Sequence, residues 1–249
     1  MWRLFGLMHV QAMISRPVAA LFCDWSDLVT SSSDALKRAA AQAALQHVKP
    51  DMVLGVGTGS TVNHLIDLIG EQGIRLSAAV SSSEASSKRL KALGIPLLDA
   101  NAIDRLPLYI DGADEVDPKR CLIKGGGGAL TREKILVDLA DRFVCIVDEA
   151  KCVPELGAFP LPIEILAMAY SQISRKLQSM GAEVRLRNGF ITDNGHPIID
   201  VSGLRIDTPQ ALESTINQWP GVVTVGIFAA RPADLVIIAG QEGIRTLSS

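Results

Sequence analysis

The sequence lacks the cysteine and histidine groupings that mark a metal site or a disulfide scaffold. Cys23, Cys121, Cys145 and Cys152 include no C-x-x-C pair, and His9, His47, His64 and His196 lie too far apart for a close ligand set. Reduced thiols and no metal are therefore expected, as in a cytosolic protein. A dominant charge sign is missing too, since 24 basic side chains face 27 acidic ones for a net of −3. That balance gives no electrostatic basis for holding nucleic acid or an anionic membrane surface. Internal repeats and low-complexity linkers are absent. The 249 residues suit one large domain, or a main domain carrying a smaller one. Hydrophobic residues make up 48%, which supplies a sizeable core and excludes wholesale disorder.

Two nucleotide signatures are also missing. A G-x-G-x-x-G motif starting at Gly55 needs glycine where Ser60 stands, and the second strand ends in serines instead of an acidic residue for a ribose. A P-loop needs lysine after its glycines, whereas Lys124 precedes the run at 125–128. No membrane span or clean signal-peptide core is present in the first thirty residues, because Arg16-Pro17 splits the apolar stretch. Residues 1–30 are expected to be an extension, either poorly ordered or the product of a start placed too early, with Met13 a candidate later start. Arg3 and Arg16, with no acid before Asp24, leave a transit segment open.

What the chain does contain is an alternation of strand and helix patterns. Alanine-rich 34–47 reads as a helix, with Ser31, Ser32 and Ser33 available to cap it. Apolar runs at 52–56, 76–80, 96–98, 108–110 and 143–147 read as strands separated by loops and helices. Such repetition implies an α/β fold with a doubly wound, mainly parallel, Rossmann-like sheet, whose ligands sit beyond the carboxyl ends of the strands. From 160 to 228 the order becomes βαββαβ, with helices near 168–180 and 209–218, which suits a smaller ferredoxin-like α+β domain. The apolar run at 234–239 is placed to return to the main sheet. The expected division is 31–159 with 229–249 for the main domain and 160–228 for the small one.

The polar motifs cluster after the strands. A turn of glycines and hydroxyls, Gly57 to Thr61, joins a strand to a helix, and N–H groups at a helix start suit one phosphate. A tight turn capped by Ser60 or Thr61 accounts for the same residues. After Leu108-Tyr109-Ile110 come the carboxylates Asp111, Asp114 and Glu115, then Lys124 and the glycines Gly125, Gly126, Gly127 and Gly128. Ordering four glycines costs backbone entropy, which is easiest to understand where N–H groups must approach a ligand. A flexible surface turn with solvated charges is the competing explanation. Asp111 and Asp114 could face one pocket or serve only an Asx turn. Glu133 could act as a base or merely compensate a helix N-terminus, an effect of about 0.3–1 kcal/mol.

Taken in order, LGVGTGST at 54–61, SSSEAS at 81–86, DGADEVD at 111–117, KGGGGALTREK at 124–134 and VDEAK at 147–151 closely resemble the A-type ribose-5-phosphate isomerase family. The resemblance covers roughly 31–240. It implies interconversion of ribose 5-phosphate and ribulose 5-phosphate through an enediolate, in the non-oxidative pentose phosphate pathway. It further implies Glu133 as the base, Asp111 in ring opening and oxygen protonation, and Lys124 supplying charge to the enediolate oxygen. Thr58, Gly59, Ser60 and Thr61 would cradle the phosphate, while Gly112, Ala113, Asp114, Gly125, Gly126, Gly127 and Lys151 would complete substrate binding. Lys37 matches a further family lysine near the phosphate, with adjacent Arg38 its rival; Glu115 receives no catalytic step. No cofactor, a cytoplasmic location and a homodimer or larger assembly are expected. A sugar-phosphate sensor is the alternative, disfavoured because the first thirty residues contain no basic helix-turn-helix pattern.

Overall fold

The computed structural model describes residues 25–248. The expectations for 1–24, including the late start and the transit segment, lie outside the described residues. α1 runs Trp25–Ala44 and continues as a 3-10 turn to His47, so Ser31, Ser32 and Ser33 sit within the helix and do not cap its start. β1 (Val53–Val56), α2 (Ser60–Glu71), β2 (Ala78–Ser81) and α3 (Glu84–Ala92) follow in the expected alternation. The run at 96–98 forms only an isolated bridge, Leu97 to Ala79. Pro96 cannot donate to a ladder, which keeps this segment short.

β3 (Leu108–Asp111) is followed by two short strands, β4 (Glu115–Val116) and β5 (Leu122–Ile123), then α4 (Leu130–Leu139) and β6 (Phe143–Asp148). The next section is β7 (Leu161–Ile165), α5 (Tyr170–Ser179), β8 (Glu183–Leu186), β9 (Ile198–Ser202), α6 (Pro209–Asn217) and β10 (Val222–Val225). β11 (Ile227–Phe228), β12 (Leu235–Gly240) and β13 (Gly243–Ser248) end the described chain.

The main sheet has the order β13-β12-β6-β3-β1-β2, parallel except for β13 at its edge. Both faces are buried. Leu108, Ile110, Val144 and Ile146 point to the core beneath α1 and α2, while Tyr109, Phe143, Cys145 and Val147 point to the core beneath α4. This two-residue alternation explains why the parallel strands read as unbroken apolar runs. β2 lies on one side of β1 and β3 on the other, so the topological switch point falls between β1 and β3, where an α/β sheet opens a crevice.

A second sheet, β10-β7-β9-β8, is antiparallel throughout. With α5 and α6 as its helices it forms the smaller ferredoxin-like α+β unit. The apolar run at 222–227 does not stay in one strand: β10 belongs to this sheet, and β11 crosses to pair with β5 in a three-stranded sheet β11-β5-β4. A Cβ at Gly226, between them, would lie 2.3 Å from the Lys124 carbonyl oxygen, so the crossover brings the chain directly against the strand carrying the site lysine.

Candidate active site

The cleft lies beyond the carboxyl ends of β1, β3 and β6. It encloses about 150 Å³ and is lined by Lys37, Gly59, Ser60 and Thr61 at one end, by Ala113, Asp114 and Gly127 along the side, and by Lys124 and Glu133 at its base. Thr58, Gly112, Gly125 and Lys151 complete the lining. Asp111 stands one layer back, fully buried, and Gly126 is exposed outside the lining. Arg38, the rival of Lys37, points instead to an ion pair with Glu71 at 2.5 Å.

The buried layer is built by strand periodicity. Tyr109 and Asp111 are two apart on β3 and share a face, so the Tyr109 hydroxyl donates to Asp111 Oδ2 at 2.5 Å. Facing them on the β1 side, Gly55 and Gly57 carry no side chain. A Cβ at Gly55 would lie 2.8 Å from the Tyr109 ring, and one at Gly57 would lie 1.9 Å from Asp111 Oδ1. Those glycines make room for the tyrosine and the carboxylate. Asp111 Oδ1 also accepts the N–H of Thr58 at 3.1 Å and that of Gly112 at 2.7 Å. Burial first, then the negative charge of Asp111, hold the Tyr109 phenol well above its usual range, so it remains a donor.

Lys124 follows β5 and is 3% exposed. Its ammonium lies 2.8 Å from Asp111 Oδ2, 3.3 Å from Glu133 Oε2 and 2.5 Å from the Gly112 carbonyl oxygen. Burial works against this charge, but Asp111 and Glu133 outweigh it and raise the lysine above its ordinary value. Glu133 sits in the first turn of α4, also buried, and its Oε2 has no hydrogen-bond partner. Burial, then repulsion from Asp111, lift its carboxyl to about 8 against the opposing pull of Lys124. A carboxylate so placed is a strong base in a pocket, poised close to neutral pH.

At the other end, α2 begins at the cleft. Its N-cap is Gly59, at φ 101° and ψ 175°, a conformation essentially restricted to glycine. No side chain caps the helix, so Ser60 and Thr61 serve as its first residues and not as its caps. Uncapped N–H groups at a helix start favour an anion. The Thr58 hydroxyl accepts from Ser83 at 3.0 Å, and Ser86 donates to the Gly57 carbonyl at 2.7 Å, so the SSSEAS motif braces the turn from behind.

Asp114 accepts the Gly126 N–H at 2.7 Å, which ties the DGADEVD turn to the glycine loop. Glu115 lies outside the cleft and accepts N–H groups from Gly157 at 2.7 Å and Phe159 at 2.5 Å. Lys151 follows β6 in a 3-10 turn, with its ammonium 5.9 Å from the Phe159 ring centre. Tyr109, Ser83 and Ser86 went unassigned in the sequence. The two-residue offset of Tyr109 from Asp111 was the available signal for the first.

The sequence from 78 to 243 matches the family model of ribose 5-phosphate isomerase A (phosphoriboisomerase A). Ribose-5-phosphate isomerase A of Methylibium petroleiphilum is 54% identical over 216 residues, covering 87% of this chain and 99% of the relative. The chain belongs to the ribose 5-phosphate isomerase A family. The crystal structure of the Neisseria gonorrhoeae ribose 5 phosphate isomerase A superposes with a TM-score of 0.85 at 44% identity, covering 87% of this chain and 97% of that one. A D-ribose-5-phosphate isomerase solved in complex with phospho-erythronic acid superposes at 0.84 with 39% identity, over 87% of this chain and 99% of its own. Membership extends through all three sheets, since these solved relatives are covered almost end to end. Among the described residues no helix is long and apolar enough to cross a membrane.

Proposed function

We propose that this chain interconverts D-ribose 5-phosphate and D-ribulose 5-phosphate through an enediolate, with Glu133 moving the proton between C2 and C1. The observation that carries the reading is the Lys124 ammonium, held 2.8 Å from Asp111 and 3.3 Å from Glu133 at the base of a cleft whose far end is an uncapped helix start. The helix start and Lys37 take the phosphate, which lays the sugar along the glycine loop toward Glu133. Glu133, held only by its ion pair with Lys124, is the base. Lys124 supplies charge where the enediolate oxygen develops, and its effect is largest in a water-poor site. Asp111 keeps Lys124 charged and, through it, serves ring opening and proton return to oxygen. Asp114 and Lys151 bind the sugar hydroxyls and oxygens. The reaction is redox-neutral within the substrate, so no cofactor enters the scheme.

The solved relative bound to phospho-erythronic acid supports an occupant that is a phosphorylated sugar acid or its like. A division into 31–159 with 229–249 and 160–228, a cytoplasmic location and a homodimer or larger assembly complete the proposal. Incubating the purified chain with ribose 5-phosphate and following ketose formation tests it. Ribulose 5-phosphate should accumulate to equilibrium; no conversion by folded protein would remove the assignment.

A further inference from the structure

We propose that Arg187, from the second sheet, is a positioning residue of the active site that holds the glycine loop in its working orientation. Arg187 follows β8, and one arm of its guanidinium donates to the carbonyls of Gly125 and Gly126, both at 3.1 Å. Its other nitrogens grip Asp200 on β9 at 2.9 and 2.5 Å. The guanidinium carbon lies 5.3 Å from the centre of the Phe190 ring, and that ring fills the space where a Cβ of Gly128 would stand, at 2.1 Å. Residues 187–190 therefore meet the loop at three of its four glycines, Gly125, Gly126 and Gly128.

The consequence follows from peptide geometry. In a planar trans peptide the carbonyl and the next N–H point in opposite directions. Fixing the Gly126 carbonyl on Arg187 turns the Gly127 N–H away from the arginine, toward the cleft that Gly127 lines. The Gly126 N–H is similarly committed to Asp114 at 2.7 Å. Four glycines have no side chains with which to hold themselves, and each adopts either sign of φ readily. Beyond the Gly128 N–H to Gly125 carbonyl bond at 2.9 Å and the Asp114 contact, their order is supplied by the other sheet. A planar fork that binds two carbonyls and one carboxylate together requires arginine, because a lysine point charge does not reproduce it.

This inference rests on the isomerase reading of the cleft, and its test begins with the wild type. Turnover of ribose 5-phosphate by the wild type establishes the reading; its absence would overturn the reading and this inference together. Arg187→Ala, Arg187→Lys and Asp200→Asn are then compared at a temperature where circular dichroism shows each to be folded. Misplacing a positioned group costs up to about a hundredfold in rate, so Arg187→Ala should lower kcat about 10–100-fold. Affinity for inorganic phosphate, measured by calorimetry, should stay within about twofold, since Arg187 does not touch the helix start. Arg187→Lys should recover only a small part of the loss. Asp200→Asn should give an intermediate loss, which also serves as the test if Arg187→Ala does not fold. The double variant should be no slower than Arg187→Ala alone, because the two residues act as one unit. Wild-type kcat in folded Arg187→Ala, full recovery by Arg187→Lys, or a loss confined to thermal stability would overturn the proposal.

Discussion

Glu133 shows how one side chain acquires its chemistry from its surroundings. An exposed glutamate at a helix start would be ionised at neutral pH and a weak base. Here burial and Asp111 lift it to about 8, while Lys124 at 3.3 Å keeps ionisation within reach. The base works only when deprotonated, so kcat/KM should rise with pH and level off above about 8, a profile that reports the free enzyme. Glu133→Gln retains shape and removes the proton acceptor. Its turnover should fall by about 10²–10⁴-fold, the usual worth of a general base, with phosphate-end binding preserved. A pH–rate profile for the wild type and single-turnover rates for the variant check both; a flat profile from pH 6 to 9 (on the order of the window set by that shift) would contradict the assignment. The family resemblance named Glu133 as the base, but its own residue pattern marked only a carboxylate near a glycine loop, since the burial that makes it a base is not a local property.

At the level of elements, the glycines of the first strand-to-helix turn divide by function in a way their spacing did not reveal. Gly57 has ordinary backbone angles but no room, with Asp111 Oδ1 1.9 Å from a would-be Cβ. Gly59 has open space but needs φ 101°. Gly57→Ala should therefore push Asp111 and Lys124 out of register, lowering kcat and costing about 1–3 kcal/mol of stability, as overpacking does. Gly59→Ala should bend the helix start, raising KM for ribose 5-phosphate more than it lowers kcat. Steady-state kinetics with thermal denaturation distinguishes the two, and an unchanged KM in Gly59→Ala would place the phosphate elsewhere. Elements themselves were largely legible, because apolar period and length set them: α5 and α6 fall within the expected 168–180 and 209–218. The short pairs β4, β5 and β11 were not, because two-residue strands have no period to read and form only when distant segments meet.

For the whole molecule, the site and the stability of the fold pull in opposite directions. The folded state keeps the Glu133 proton up to about 8, whereas an unfolded glutamate loses it near 4.5. Between those values the native state binds more protons than the unfolded one, so this group's contribution to stability falls as pH rises and is gone above the folded value. Lys124 has the same sign at higher pH: its raised folded value adds stability that disappears only as the medium becomes strongly alkaline. Glu133→Gln cannot titrate. The melting-temperature difference, variant minus wild type, should therefore grow between pH 5 and 8 and then flatten, within about the window set by the shift. A difference independent of pH would mean that Glu133 is ionised in the folded protein throughout.

The sequence by itself determined the strand and helix alternation, the change of pattern at the second sheet, and the family, since each depends on residue types at short spacing. It also placed the hydroxyl turn and the two aspartates after strands, Lys124 before the glycine run and Glu133 at a helix start. Only the tertiary structure decided that Asp111 stands behind the cleft with Tyr109, that Lys124 lies between two carboxylates, and that Arg187 reaches across from the second sheet to the glycine loop. Those relations join residues far apart in the chain. Their energies depend on distance and on exclusion of water, and neither exists until the two sheets have packed.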